Sequence, residues 1–503
     1  MTTLLLVPLP AAVGAPVGPP FVLDAGVRVG GDAVAAGVLR RLVATRTGLH
    51  LGHADDGAAP DAARIALTVD GSGPAESYRL AVRHDGIEVR AADAAGLFYG
   101  IQTLGQLVAG SATGWTVPAA DIDDAPRFAY RGVMLDVARH FHDVGTVTAF
   151  LERAASLKFN VLHLHLSDDQ AWRLELRSRP ELTARTAANA VGGDPGGFYT
   201  QDDYRRIIDH AAAHHMTVVP EFDMPGHTHA VGIAYPAVAA APALEGWDAA
   251  GGPTPVAGEP YTGIGVGFSS LRIGDAATDA FVADVFTELA TLTPGPYLHF
   301  GGDEAHGTAP ADFAAFVERT SALIARLGKT PVAWHEAGAA GDLARGTVGQ
   351  YWSFVRPAEG AAEKTRAFTT VGGRVILSPA DAVYLDMKPD ETATLGLTWA
   401  NGPTSLERAY RWEPADVIDG LSEDDILGVE APLWTETVRT LDDIDALTFP
   451  RIAAAAEAAW SPRSGAAPGR TWDSFRSRVG GLGPLWTTLD IRFPASPEVS
   501  WTL

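Results

Sequence analysis

Cysteine is absent from the 503 residues. Without it the chain can build no disulfide, no thiolate zinc site, no iron–sulfur cluster and no cysteine nucleophile, and its redox compartment stays open. Positive charge is also scarce: 38 Lys and Arg stand against 61 Asp and Glu, a formal net charge of −23. That field repels phosphate backbones, so no nucleic-acid partner is expected and neutral or cationic ligands are favoured. No apolar run reaches the roughly 18 residues that a membrane-crossing helix needs, so no membrane partner is expected either. The opening MTTLLLVPLPAAVG has no basic residue ahead of its apolar stretch and is interrupted by Pro8 and Pro10. It reads as a first strand or an arm rather than a secretion signal. The expected compartment is the cytoplasm, or the exterior if a leader has been removed.

What is present is ordinary globular material, 47% hydrophobic and 20% charged, enough for a large core and two or three domains. Residues 1–122 read as a smaller α+β domain. Ile65, Leu67 and Val69 alternate with polar or small neighbours, as do Tyr78, Leu80 and Val82 and then Ile87, Val89 and Ala91, the period of half-buried strands. His84-Asp85-Gly86 should turn a hairpin between the last two runs. Leu97, Ile101, Leu104 and Leu107 follow at helical spacing. Residues 111–126, rich in Gly, Ala, Asp and Pro, read as a linker.

Over 123–503 the texture changes. Eight short apolar runs, at 132–141, 160–169, 217–227, 297–304, 331–337, 348–352, 375–386 and 426–434, each end in polar or aromatic residues. Helical patterns separate them, for example Val147, Phe150, Leu151, Ala154 and Leu157 on one face. Strands alternating with helices imply a parallel sheet, and eight repeats fit a closed (β/α)₈ TIM barrel, an α/β fold. The long aperiodic stretch 239–273 is expected to form part of the rim of its mouth.

In such a barrel the chemistry stands where strands end, so the polar tails matter most. They supply Asp136, Arg139 and His140; His163, His165, Asp168 and Asp169; Glu221, Asp223 and His227; Asp303 and Glu304; Trp334, His335 and Glu336; Tyr351 and Trp352; Tyr384 and Asp386; Trp434 and Glu436. Carboxylates and indoles converging in one mouth suit a sugar, whose hydroxyls take bidentate hydrogen bonds and whose apolar faces stack on rings. The sharpest signal is HFGGDE, residues 299–304, an apolar strand ending in two glycines and two adjacent acids. His163, His165, His227 and His229 read as hydrogen-bonded histidines rather than metal ligands, and no metal or other cofactor is expected. Asp136 and Arg139 read as a mutual pair at least as readily as sugar contacts.

HFGGDE, with YRGVMLDVARHF, LHLHLSDDQAWR, PEFDMPGHT, SPADAVYLD, APLWTE and PRIAAAAEAAWSP, resembles family 20 glycoside hydrolases, the β-N-acetylhexosaminidases. The resemblance covers nearly the whole barrel in order. It implies a retaining enzyme that removes terminal β-linked N-acetylglucosamine or N-acetylgalactosamine from a small carbohydrate, with the substrate's own 2-acetamido oxygen as nucleophile. Glu304 would then be the general acid and base, Asp303 would hold the acetamido N–H, and Tyr384 its oxygen. Trp334, Trp352 and Trp434 would enclose the acetamido methyl group. Arg131 and Glu436 would hold the 3- and 4-hydroxyls, with Asp386 and Trp399 near the 4- and 6-hydroxyls. Asp168, Asp223 and His227 would support the acid pair. His335 and Glu336 depart from the family pattern without touching these roles. A disaccharide-releasing relative and a non-catalytic carbohydrate-binding barrel are the alternatives.

Overall fold

Period-two burial builds the N-terminal sheet. In the computed structural model, which describes residues 4–15, 18–54, 64–111, 114–245 and 247–502, strands run over Ile65–Val69, Tyr78–Arg83 and Gly86–Ala91. The last two pair antiparallel with Arg83 opposite Gly86, so His84 and Asp85 make the turn. They belong to a seven-stranded sheet accompanied by helices Ala33–Thr47 and Ala94–Leu107, whose first turns are capped by Asp32 and Asp93.

The stretch expected to be a linker is sheet instead, with strands at Gly114–Val117 and Ala120–Asp124; Ala112 and Thr113 lie outside the described residues. Within Ala120–Asp124 the buried positions are Ala120, Ile122 and Asp124. A small residue and a carboxylate among three inward positions hide the alternation from a hydrophobic pattern. Asp124 is inside because it is fully partnered: Tyr78 Oη, Lys158 Nζ at 2.9 Å and Trp460 Nε1 at 3.0 Å all donate to it.

The chain forms two compact units, one of Met1–Ala129, Ala154–Phe159 and Phe449–Leu503, the other of Tyr130–Arg153 and Asn160–Thr448. This differs from a division at 122, because the closing helices belong with the N-terminal unit. Glu457, buried on helix Ile452–Trp460, accepts from Arg478 and from the Leu9 N–H at 3.0 Å. Arg478 in turn donates to the Leu6 carbonyl.

The second unit is a closed barrel of eight strands. In chain order these are β1 Tyr130–Asp136, β2 Val161–His165, β3 Thr217–Glu221, β4 Tyr297–His299, β5 Thr330–Trp334, β6 Val348–Tyr351, β7 Val375–Leu377 and β8 Ile426–Leu433. All eight expected runs are strands, paired in parallel. Helix α1, Val144–Ser156, follows β1, and α2, Gln201–Ala213, precedes β3. Thr200 and Asp203 close a capping box on α2.

The barrel interior is layered. Tyr130, Val161, Val219, Val332, Val348, Ile376 and Leu427, from the strand starts, fill the lower end. Met134, Trp334, Tyr384 and Trp434 pack at the upper end. Between them lie charged and polar groups that an apolar pattern does not foresee: His163, Glu221, His299, Gln350 and Glu430 are all buried.

Removing Asp124 from its buried pair strands the Lys158 charge. Asp124→Ala is expected to cost about 3–5 kcal/mol, read as a fall in the thermal midpoint. Adding Lys158→Met should recover most of it; an unchanged midpoint in the single variant would show that the pair contributes nothing.

Candidate active site

Strand β4 delivers the acid pair through a turn that only glycine can make. Gly301 and Gly302 have φ of 72° and 98°, in the region that side chains disfavour. A Cβ on Gly301 would lie 1.6 Å from Asp223 Oδ1, the atom that accepts the Gly302 N–H at 3.0 Å. Glu304 itself is held at φ 43°, a local strain of the kind found where surrounding structure fixes a functional group.

Behind the pair stands His227. Its Nε2 lies 3.6 Å from Asp303 Oδ2 and 3.5 Å from Glu304 Oε2, and its Nδ1 is 3.2 Å from Asp168 Oδ1. Burial works against a charge on this imidazole, but Asp168, Asp223 and Asp303 outweigh it and hold it protonated well above the ordinary range. Asp168 also accepts from His165 Nε2 at 2.9 Å and forms an ion pair with Arg139 at 2.8 Å. Burial opposes the ionised form of Asp168, yet Arg139 and His227 hold it well below the usual carboxylate range. Asp223 is pushed well up, by burial first and then by the Asp303 charge. Burial also raises Asp303, against the opposing pull of His227.

Aromatic walls rise beside the acids. Trp352, Tyr384, Trp399 and Trp434 line a cavity of about 670 Å³ together with Asp303, Glu304, Arg139, Glu436, Phe354 and Leu397. Trp399 stands nearly perpendicular to Trp352 and Tyr384, with ring centroids at 6.0 and 5.8 Å. Gly251, Ile264 and Val266 complete one side, so the long stretch 239–273 does form part of the rim. Burial, then Asp386 and Asp303, raise the Tyr384 phenol well above its ordinary value and keep it a hydrogen-bond donor.

The expected residues divide by position. Asp303, Glu304, Tyr384, Trp352, Trp399, Trp434 and Glu436 meet in the cavity. Asp168, Asp223 and His227 are buried behind the acids. Trp334 lies beneath the walls at 1% exposure, giving its indole N–H to Glu221 at 2.8 Å. Asp386 is buried too and outside the cavity lining.

Arg131 is the exception. It stands near the start of β1, level with Val429, whereas the cavity is at the strand ends. Its neighbours Tyr130 and Gly132 face the barrel interior, the latter against Glu430, so alternation turns Arg131 outward. The arginine in the cavity is Arg139, just past the end of β1. Its guanidinium covers the Trp434 ring at 4.7 Å and lies 3.6 Å from Asp136. Strand direction alone separates the two: a residue that opens a barrel strand is at the wrong face.

Glu336 was also undervalued. Both of its carboxyl oxygens accept the Trp352 N–H at 2.9 Å. Burial and the nearby Asp303 charge raise it to about 8. The histidines of β2 and β4 are tied to carboxylates: His163 to Glu430 at 2.9 Å, His299 to Glu221 at 2.9 Å, and His165 to Glu221. Among the carboxylates that line the cavity, Oδ1 of Asp303 and Oε2 of Glu436 are buried and have no hydrogen-bond partner among the described residues. An orphaned buried acceptor is costly unless a bound molecule donates to it.

A (β/α)₈ barrel whose mouth gathers paired carboxyls, an arginine and four aromatic rings has the build of a glycoside hydrolase. Residues 128–310 and 308–463 match the model described as glycosyl hydrolase family 20, catalytic domain, and residues 3–125 match that family's domain 2. The chain belongs to glycosyl hydrolase family 20. It is 41% identical over 512 residues to a beta-N-acetylhexosaminidase of Cellulomonas fimi, covering 100% of this chain and 98% of the relative. Among solved structures it resembles a glycoside hydrolase family 20 beta-N-acetylglucosaminidase, with 59% identity, a TM-score of 0.89 and 99% of each chain covered. It also resembles the Streptomyces plicatus N-acetyl-beta-hexosaminidase in complex with thio-NAglucal, with 40% identity, a TM-score of 0.90, and 99% and 98% of the two chains covered.

Burial raises Glu436 to about 7 against the lowering effect of Arg139. Below that pH the group is protonated and gives up acceptor capacity towards ligand hydroxyls, so kcat/KM should fall on the acid side with a bend near pH 7. In Glu436→Gln that bend is expected to vanish. A pH profile that keeps it would place its source elsewhere.

Proposed function

We propose that this chain is an exo-acting, retaining β-N-acetylhexosaminidase that releases terminal β-linked N-acetylglucosamine or N-acetylgalactosamine from small carbohydrates. The observation that carries the reading is the adjacency of Asp303 and Glu304 in a cavity walled by Trp352, Tyr384, Trp399 and Trp434. Two acids on one turn, held to one imidazole, stand on the same side of a bound sugar. Retaining enzymes normally place a nucleophilic carboxylate across the scissile bond from the acid, and substrate-assisted families are the exception.

Glu304 protonates the glycosidic oxygen as the C1–O bond breaks. The acetamido carbonyl oxygen bonds to C1 from the opposite face, giving an oxazolinium ion. Asp303 accepts the acetamido N–H and balances the charge that develops there, while the Tyr384 hydroxyl donates to the acetamido oxygen. Water then gives a proton to Glu304 and bonds to C1, the C1–O bond of the ring opens, and configuration is retained. Intramolecular attack by an oriented group is worth about 7–11 kcal/mol of barrier, against about 10²- to 10⁴-fold for the positioned acid. Orientation of the acetamide is the larger contribution, which gives the aromatic walls their purpose.

Arg139 and Glu436, side by side in the lining, hold ring hydroxyls in this reading, with Trp399 and Asp386 towards the 4- and 6-positions. Met134 and Trp334 pack against Tyr384 and Trp434, and in this reading the cavity takes one terminal sugar at a time.

Aryl glycosides with progressively fluorinated N-acyl groups test the nucleophile: the rate should decline steeply as the acyl oxygen weakens, and a flat series would overturn the mechanism. Glu304→Gln should lose about 10²- to 10⁴-fold with poor leaving groups and much less where the leaving group needs no proton. Equal losses on both substrates would remove Glu304 as the acid.

A further inference from the structure

Outside the mouth of the barrel, two neighbouring helices bring together three side chains of a different chemistry. His210 and His214 stand four residues apart at the end of α2, on one face, with ring centroids 4.7 Å apart. Glu152, near the end of α1, meets His210 Nε2 at 2.9 Å. One ligand atom from each of the three lies within 4.8 Å of the others. His214 Nδ1 donates to the His210 carbonyl at 2.9 Å, which fixes its tautomer and presents Nε2 outward. The cluster is reachable from solvent: the His210 and Glu152 side chains are 32% and 55% exposed.

We propose that Glu152, His210 and His214 form a binding site for a divalent transition-metal ion of the zinc class, clipping α1 to α2. Two imidazoles and one carboxylate are a donor set that suits zinc, copper or nickel rather than magnesium or calcium. Around a tetrahedral zinc, ligand atoms at about 2.0–2.2 Å stand roughly 3.3 Å apart. Small rotamer changes of exposed side chains close the present spacing to that value. The hydrogen bond from His214 Nδ1 to the His210 carbonyl orders one ligand in advance, as outer hydrogen bonds do for metal-bound histidines. Both helices bring residues from near their C-terminal ends, where the helix dipole favours a cation.

Position separates this site from catalysis. Helices of a (β/α)₈ barrel run opposite to its strands, so the C-terminal turns of α1 and α2 lie at the face where strands begin. Asp303 and Glu304 lie at the other face. Metal bound to the helix clip should therefore leave hydrolysis unchanged.

Titration of tag-free, chelator-treated full-length enzyme with zinc chloride tests the site by calorimetry. One saturable step per chain is expected, together with a raised unfolding temperature. His210→Ala with His214→Ala should weaken that step on the order of 10- to 100-fold, the loss that even an outer partner's removal can cause, and Glu152→Gln should weaken it as well. Hydrolysis should be unaffected in both variants. A step that survives the double substitution, full affinity in Glu152→Gln, or no saturable step up to millimolar zinc would each overturn the proposal.

Discussion

A buried imidazolium holds the reactive end of this barrel together. His227 is 2% exposed and faces Asp168 on one side and the Asp303–Glu304 pair on the other. Burying one charge of this kind alone is prohibitive. The arrangement is stable only because each charge is shared: Asp168 takes His227, His165 and Arg139 at once, and Arg139 is kept charged by Asp168, Asp136 and Glu436 despite its burial. Deleting any one member leaves an uncompensated neighbour, which is why such a network constrains geometry more than it adds stability. Here that constraint falls on where two carboxyl groups stand.

The same logic runs down the barrel axis. Glu221 accepts from Trp334 and His165 and lies 2.9 Å from His299 Nδ1, and burial of its charge is outweighed by the imidazoles of His299, His165 and His163, which hold its carboxyl well below the usual range. His163 links Glu221 to Glu430, and burial fails to discharge it because both carboxylates raise it to about 10. Glu430 is completed by Gln350 and Tyr130. A continuous line of paired charges thus joins the apolar lower layer to the cavity. Trp334 serves both ends, since its N–H is fixed on Glu221 while its ring lies 6.1 Å from Trp434.

What could be read from the sequence followed from what each residue type hides. The eight strands were legible because their apolar runs are short and each ends in polar or aromatic residues. The acid pair was legible because two glycines mark a turn that only they can make. Ala120–Asp124 was not, because a carboxylate occupies an inward position and its partners Lys158 and Trp460 are remote in sequence. Arg131 and Arg139 differ in which end of β1 they stand at, information that strand direction carries and the motif's letters do not. The closing helices were placed with the barrel because nothing local in IAAAAEAAW shows that Glu457 reaches the Leu9 backbone.

Glu336 sharpens the argument about the nucleophile. It is a third carboxyl whose ionisation is affected by both Asp303 and Glu304, and proximity alone would make it a candidate to attack the sugar. Its environment argues against that. Both oxygens are committed to the Trp352 indole, and burial raises it to about 8, so near neutral pH it carries a proton and is a poor nucleophile. A carboxyl in that state does something else: it fixes the plane of the indole that forms one wall of the cavity. In the proposed mechanism Glu304 protonates, Asp303 accepts from the acetamide and Glu336 orients a ring, so the bond to C1 is left to the substrate.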